Sequence, residues 1–101
     1  MRLVKGMGTR FEIFDVDGTL TNEECFTIRQ CKNATPNKKY VRKAQKAYET
    51  KIVLIYTARR NHLIPATLEW LRKNDIQWHW LSNKKSPFMG GTYHDADNAK
   101  E

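Results

Sequence analysis

Seven residues, Lys51 to Thr57 (KIVLIYT), restrict what this chain can fold into more than any other stretch. A continuous β-branched and aromatic run is the pattern of a strand buried on both faces of a parallel sheet, because a strand with one wet face would alternate. Parallel neighbours need crossover connections, and helical patterns flank the run. Thr35-Pro36 reads as an N-cap followed by proline at the first helical position, and Tyr40, Ala44, Ala47 and Tyr48 recur at helical spacing up to Glu49. His62 to Asn74 repeats the pattern with Leu63, Ala66, Leu68, Trp70 and Leu71; Pro65 is tolerated in the first turn and Asn74 serves as the stop.

Three further strands are expected. Thr9 to Phe14 (TRFEIF) leads into Asp15-Val16-Asp17-Gly18 and reads as a strand ending in a turn. Ile76 to Leu81 (IQWHWL) alternates strictly, and Thr92-Tyr93-His94 forms a short last strand ending at Asp95. Thr21 to Asn37 is irregular and polar, compatible with a hairpin or loop. The resulting order is that of an α/β layer fold, a small Rossmann-like core with a mainly parallel sheet flanked by helices. At 101 residues, the chain is expected to be a single domain over 1–101 with one modest core.

Composition narrows the function classes. With 40% apolar and 29% charged residues, the chain is an ordinary globular protein. Its longest apolar run, Ile52 to Tyr56, falls far short of a bilayer span, and MRLVKGMG has no apolar signal region. A cytoplasmic location is therefore expected. Cys25 and Cys31 have no zinc-ligand spacing and no neighbouring histidine, and are read as reduced thiols. The net charge is +7, and the segment from Cys25 to Lys51, with eight Lys or Arg and one acid, carries the whole excess. Such a segment is either a solvated helix face or a positive face for polyanions such as nucleic acid, met through Lys39, Arg42, Lys43 and Lys46.

In a parallel α/β sheet the ligand sits at the carboxyl ends of the strands. That rule brings together Asp15 and Asp17, Thr57 and Arg59, and Asp95 and Asp97. Four carboxylates in one place repel unless a cation joins them, and an oxygen-only ligand set with open positions suits Mg²⁺. A calcium loop fails on spacing, since its twelfth position here is Phe26. Standing alone, Asp-x-Asp-Gly is more often a turn, and Thr57 alone could be a helix N-cap.

The stretch Phe14-Asp15-Val16-Asp17-Gly18-Thr19-Leu20 (FDVDGTL) resembles the first motif of the haloacid dehalogenase superfamily of phosphohydrolases. Ile55-Tyr56-Thr57-Ala58-Arg59 is similar to the second motif in its Thr-x-Arg form, Lys84 or Lys85 is placed like the third-motif lysine, and Tyr93-His94-Asp95-Ala96-Asp97 like the fourth. The resemblance spans residues 9 to 97. It implies a Mg²⁺-dependent phosphomonoesterase in which Asp15 is the nucleophile, Asp17 the acid and base, Thr57 a phosphoryl-oxygen donor and the lysine a neutralising charge. Lys85 is preferred because Lys85-Ser86-Pro87 is nearest the family's lysine-proline step. Gly18, Thr19, Ala58, Arg59 and Lys84 are then expected to line the substrate site. Asp15, Asp17, Asp95 and Asp97 are the metal set; Asp95 is preferred over Asp97 because it directly follows the strand.

About thirty residues separate Leu20 from Lys51, and fewer separate Arg60 from Lys84, so no cap domain is expected and the site should be open. An uncapped site with a Thr-x-Arg motif is similar to the 3′-phosphatase part of polynucleotide kinases. Small sugar-phosphate or nucleotide phosphatases look similar too, and a non-catalytic polyanion-binding module is the alternative from another class. No Gly-x-x-x-x-Gly-Lys loop is present, so no kinase half is expected here. Stability is expected to need a partner or a homo-oligomer. His62 and His94 are assigned no role, and Trp70, Trp78 and Trp80 are read as core or edge aromatics.

Overall fold

The computed structural model describes residues 11–84 and 91–94. Four strands, β1 (Phe11–Asp15), β2 (Ile52–Tyr56), β3 (Trp80–Ser82) and β4 (Gly91–His94), form one sheet in the order β3-β2-β1-β4. Every pairing is parallel. The β1–β2 connection holds helices α1 (Ile28–Asn33) and α2 (Lys38–Ala47), and the β2–β3 connection holds a 3₁₀ turn at Asn61–Leu63 followed by α3 (Ile64–Lys73). This is the expected small Rossmann-like α/β core. Among the described residues no helix is long and apolar enough to cross a membrane.

The core follows from the pleat. Phe14 is in register with Ile55, and Glu12 with Val53, so these residues share one face. On that face Phe14, Val53 and Ile55 pack with Tyr40 and Ala44 of α2, Cys31 of α1, and Trp70 and Leu71 of α3. Ile13 and Leu54, on the opposite face, are also buried, which accounts for the unbroken apolar run in β2. Trp70 adds a tie, its indole N–H donating to the Ala34 carbonyl at 2.8 Å.

Three local expectations are corrected. The stretch from Thr21 to Asn37 is not merely irregular: α1 forms there because Thr27 and Gln30 make a capping box, each side chain bonding the other's backbone N–H at 3.1–3.2 Å. The next helix begins at Lys38 with Asn37 as N-cap, two residues beyond Thr35. Thr35 and Pro36 instead lie beside Thr21: Asn22 N–H donates to the Thr35 carbonyl at 2.8 Å, and Asn37 N–H to the Leu20 carbonyl at 2.7 Å.

The third correction concerns Ile76 to Leu81, of which only Trp80 and Leu81 join β3. The reason lies at His79. Its backbone N–H donates to the Val53 carbonyl at 2.8 Å, while its Nδ1 accepts from the Val53 N–H at 2.9 Å. The imidazole stands where a strand carbonyl would be and ends the ladder. Tyr48 stacks on the ring at 4.5 Å, and Trp80 lies exposed on the edge strand.

Burial lowers the His79 pKa below its ordinary value. A histidine depressed in the folded state stabilises the fold above its unfolded pKa of about 6.5, and that contribution is lost as pH falls through this value towards the lower folded one. Protonating Nδ1 also removes the bond to Val53, worth about 1 kcal/mol. Wild-type melting temperature is expected to fall by roughly 4–8 °C on acidification through this range. In His79→Asn, whose carbonyl still accepts from Val53 but does not titrate, the drop should be clearly smaller by thermal denaturation at pH 7.5 and 5.5.

Candidate active site

Strand order places the site. The chain runs β1, β2, β3 in one direction and then returns to place β4 on the other side of β1, so the order reverses at β1. In open α/β sheets the crevice at such a reversal, at the carboxyl ends of the strands, receives the ligand. Asp15 is the last residue of β1, in register with Tyr56, and Thr57 follows directly on the neighbouring strand. His94, at the end of β4, is in register with Phe14. Asp95, Asp97 and Lys85 lie outside the described residues.

The turn after β1 is built to present its polar groups. Gly18 has φ 77°, a left-handed conformation that glycine adopts without steric cost. Its N–H donates to Thr21 Oγ1 at 3.2 Å, and Thr21 N–H donates back to the Val16 carbonyl at 3.0 Å. Val16, Thr19 and Leu20 are buried by this winding, so Thr19 anchors the turn from inside, while Asp15, Asp17 and Gly18 remain partly accessible.

Asp17 is gripped by Arg59. The guanidinium Nη2 donates to Asp17 Oδ1 at 2.7 Å, and Nε to Oδ2 at 3.1 Å and Oδ1 at 3.2 Å. The Arg59 side chain is only 2% exposed, against 18% for Asp17. Arg59 Nη1 donates to Thr67 Oγ1 at 2.8 Å, and Thr67 passes its own hydrogen to the Leu63 carbonyl at 2.8 Å. Cys25 N–H donates to Asp17 Oδ1 at 3.1 Å. Burial works against the charge on Arg59, but the hydrogen bonds and charge of Asp17 outweigh it and raise its pKa above the ordinary value.

Around this pair the loop after β2 is fixed by its own bonds. Thr57, fully buried, accepts the Arg59 N–H at 3.1 Å through Oγ1, and its N–H donates to the Ser82 carbonyl at 3.0 Å. Asn83 spans the gap, donating to the Arg59 carbonyl at 3.1 Å and to Asn61 Oδ1 at 2.6 Å. Ala58 and Lys84 are exposed. Burial pushes the Cys25 thiol up to about 11 and also raises Cys31, so neither is a thiolate at neutral pH.

The fold thus brings Asp15, Asp17, Gly18, Thr57, Ala58 and Arg59 to one edge. Of these, Arg59 is committed to Asp17 in this structure and not to the outer rim. Sequence reasoning missed Thr67, Cys25 and Asn83. Thr67 carried one signal, a hydroxyl between Ala66 and Trp70 on the apolar side of a helix; the backbone N–H of Cys25 and the bridging of Asn83 depend on loop shape and had none. Among the described residues no three His, Cys, Asp or Glu side chains converge to hold a metal ion.

No known protein family matches the sequence. No curated protein matches it either. Two solved structures share the fold, both at 16% identity and TM-score 0.66 over 100% of this chain. One is a chain of the Pnkp1/Rnl/Hen1 complex, of which 33% is covered, and the other a chain of the Pnkp1/Rnl/Hen1 RNA repair complex, of which 30% is covered. The present chain therefore spans about a third of the length of those it matches. At this identity the likeness is one of fold.

The ion pair makes an asymmetric prediction. Asp17→Ala leaves a buried guanidinium uncompensated and is expected to cost about 3–5 kcal/mol. Arg59→Met leaves a carboxylate that water can reach and should cost less, roughly 2–3 kcal/mol. Urea unfolding of the double variant should then show less loss than the sum of the two, since removing both partners leaves no orphaned charge.

Proposed function

We propose that this chain is a Mg²⁺-dependent phosphomonoesterase of the haloacid dehalogenase type, acting on the 3′-phosphate ends of a polynucleotide. The observation that carries the reading is the placement of Asp15 at the carboxyl end of β1, where strand order reverses, with Asp17 two residues on held in one orientation by Arg59. Fold likeness to a chain of an RNA repair complex supports a nucleic-acid substrate and a role in RNA repair.

The Asp15 carboxylate and the Asp17 backbone carbonyl are oxygen donors of the kind a hard divalent cation takes, and by the family resemblance Asp95 or Asp97, outside the described residues, would complete the set. Bound there, the ion would offset charge between an anionic nucleophile and an anionic substrate. An Asp15 oxygen attacks phosphorus in line; the ester P–O bond breaks and an aspartyl-phosphate forms. Asp17, which must be protonated in the reacting complex, gives that proton to the leaving oxygen, which departs as a hydroxyl. Asp17 then takes a proton from water as that water attacks phosphorus, the bond to Asp15 breaks, and inorganic phosphate leaves.

The hydrogen bonds tell the two Asp17 oxygens apart. Among the described residues, Oδ1 accepts from Arg59 Nη2 and Nε and from Cys25 N–H, whereas Oδ2 accepts only from Arg59 Nε. Oδ2 is therefore the oxygen with capacity to carry the transferred proton. Thr57, which follows the next strand and is buried in this structure, and a lysine from Lys84-Lys85 would hold the phosphoryl oxygens.

Phosphate release from a 3′-phosphorylated oligonucleotide, p-nitrophenyl phosphate, nucleotides and sugar phosphates, with Mg²⁺ or EDTA, tests this. Wild type should release phosphate only with the metal and fastest from the oligonucleotide, and Asp15→Asn should lose at least a thousandfold in rate with an unchanged circular dichroism spectrum. Full activity in Asp15→Asn would overturn the mechanism; fastest turnover of a sugar phosphate would overturn the substrate.

A further inference from the structure

Helix α2 carries Lys38, Lys39, Arg42, Lys43 and Lys46 and no acid from its first residue to its last. Its apolar side, with Tyr40, Val41, Ala44 and Ala47, is buried in the core. Lys39, Arg42 and Lys46 recur at i, i+3 and i+7, so they form one strip on the side turned away from the core, and all three are exposed. Three cations outside α2 sit beside carboxylates, Lys32 by Glu69 and Lys51 by Glu12, both at 3.7 Å, and Arg59 by Asp17. Among the described residues, Lys39, Arg42 and Lys46 have no carboxylate partner within ion-pair distance. Like charges at i, i+4 cost a few tenths of a kcal/mol each, so the strip works against the helix that bears it.

The strip has a direction. α2 begins beside the candidate site, with Asn37 N–H on the Leu20 carbonyl. In its first turn the Tyr40 ring meets His94 edge-on at 6.5 Å, and His94 stacks at 4.4 Å on Phe14, the residue before Asp15. The ammonium of Lys39 lies over the Tyr40 ring at 5.6 Å, which positions it in this corner. At the other end Lys51 N–H donates to the Ala47 carbonyl as the chain enters β2 at the far edge of the sheet. From Lys39 to Lys46 the strip therefore leads away from Asp15 over about 10 Å.

We infer that this strip is the track for the backbone of one nucleic-acid strand whose 3′-terminal phosphate lies at Asp15 and whose chain runs 5′-ward from Lys39 to Lys46. The inference rests on the phosphomonoesterase reading and adds to it a strand path and a minimum substrate length. A single file of cations on one helix ridge matches a single backbone, whereas a duplex presents two rows of phosphates across a groove. An anionic membrane does not fit, because the apolar residues of α2 face the core and none is left on the strip to enter a lipid surface. Three cations along the track neutralise about three phosphates.

The test is binding, measured in EDTA so that the metal-dependent reaction is stopped. Oligonucleotides of increasing length, 3′-phosphorylated and carrying a 5′ fluorophore, are titrated by anisotropy at several salt concentrations. Wild-type affinity should rise with length to about four nucleotides and then level, with a slope of log K against log salt near −2, about −0.7 per phosphate. Arg42→Gln/Lys46→Gln should level about two nucleotides earlier and lose about 1.4 from the slope. Lys32→Gln/Lys73→Gln, which removes the same charge from α1 and α3, should match wild type. An unchanged slope in the α2 variant, equal losses in both variants, or no wild-type binding at micromolar protein would overturn the track. Track loss with phosphate release intact sinks this inference alone; intact track behaviour with no release from any substrate sinks the phosphatase reading alone.

Discussion

The Asp17–Arg59 ion pair is the interaction on which the site depends. It joins the turn after β1 to the loop after β2, and through Thr67 it reaches into α3. Asn83, after β3, ties down the loop after β2 from its other side. Charge burial of this kind is costly unless the charge is paired and hydrogen-bonded, and Arg59 meets that condition: its Nε and both terminal nitrogens have partners. What the pair supplies is orientation. It turns Asp17 so that, among the described residues, one oxygen takes three hydrogen bonds and the other a single one, the asymmetry that the proposed proton-transfer role would use.

Much of the fold was legible because two periodicities are clear in the chain. The apolar run of β2 announced a parallel, doubly buried strand, and the helical recurrence of Tyr40, Ala44 and Ala47 announced the face of α2 that enters the core. Where the reading failed, a side chain had taken over the work of the backbone. At His79 an imidazole nitrogen replaces a strand carbonyl, so strict alternation through Ile76 to Leu81 yields only a short edge strand. At Thr27 the reverse holds: the Thr-x-x-Gln spacing of a capping box is present, but the short helix it starts has a single buried residue, Cys31, too little apolar repeat to stand out.

The candidate site divides in the same way. Asp15, Asp17 and Thr57 could be placed from strand ends alone, because topology decides which ends meet. The engagement of Arg59 could not, since a Thr-x-Arg spacing says where the arginine starts and not whether its long side chain turns outward to a ligand or inward to a carboxylate. Here it turns inward, and the outward charge comes from α2, which begins near the turn after β1 and whose Lys39, Arg42 and Lys46 lack carboxylate partners among the described residues. One helix thus covers the core with its apolar side and presents a positive strip with the other.

The proposed reaction makes Asp15 the nucleophile at phosphorus, and acid-quenched turnover tests that directly. A 3′-phosphorylated oligonucleotide carrying a radiolabel in the terminal phosphate is mixed with excess protein and Mg²⁺, quenched within the first turnover, and the protein examined for label. An acid-stable, base-labile label is expected on the protein, appearing before free phosphate, decaying as phosphate accumulates, and absent from Asp15→Asn. Phosphate release without labelled protein, or a label that survives the Asp15→Asn change, would contradict the proposed reaction.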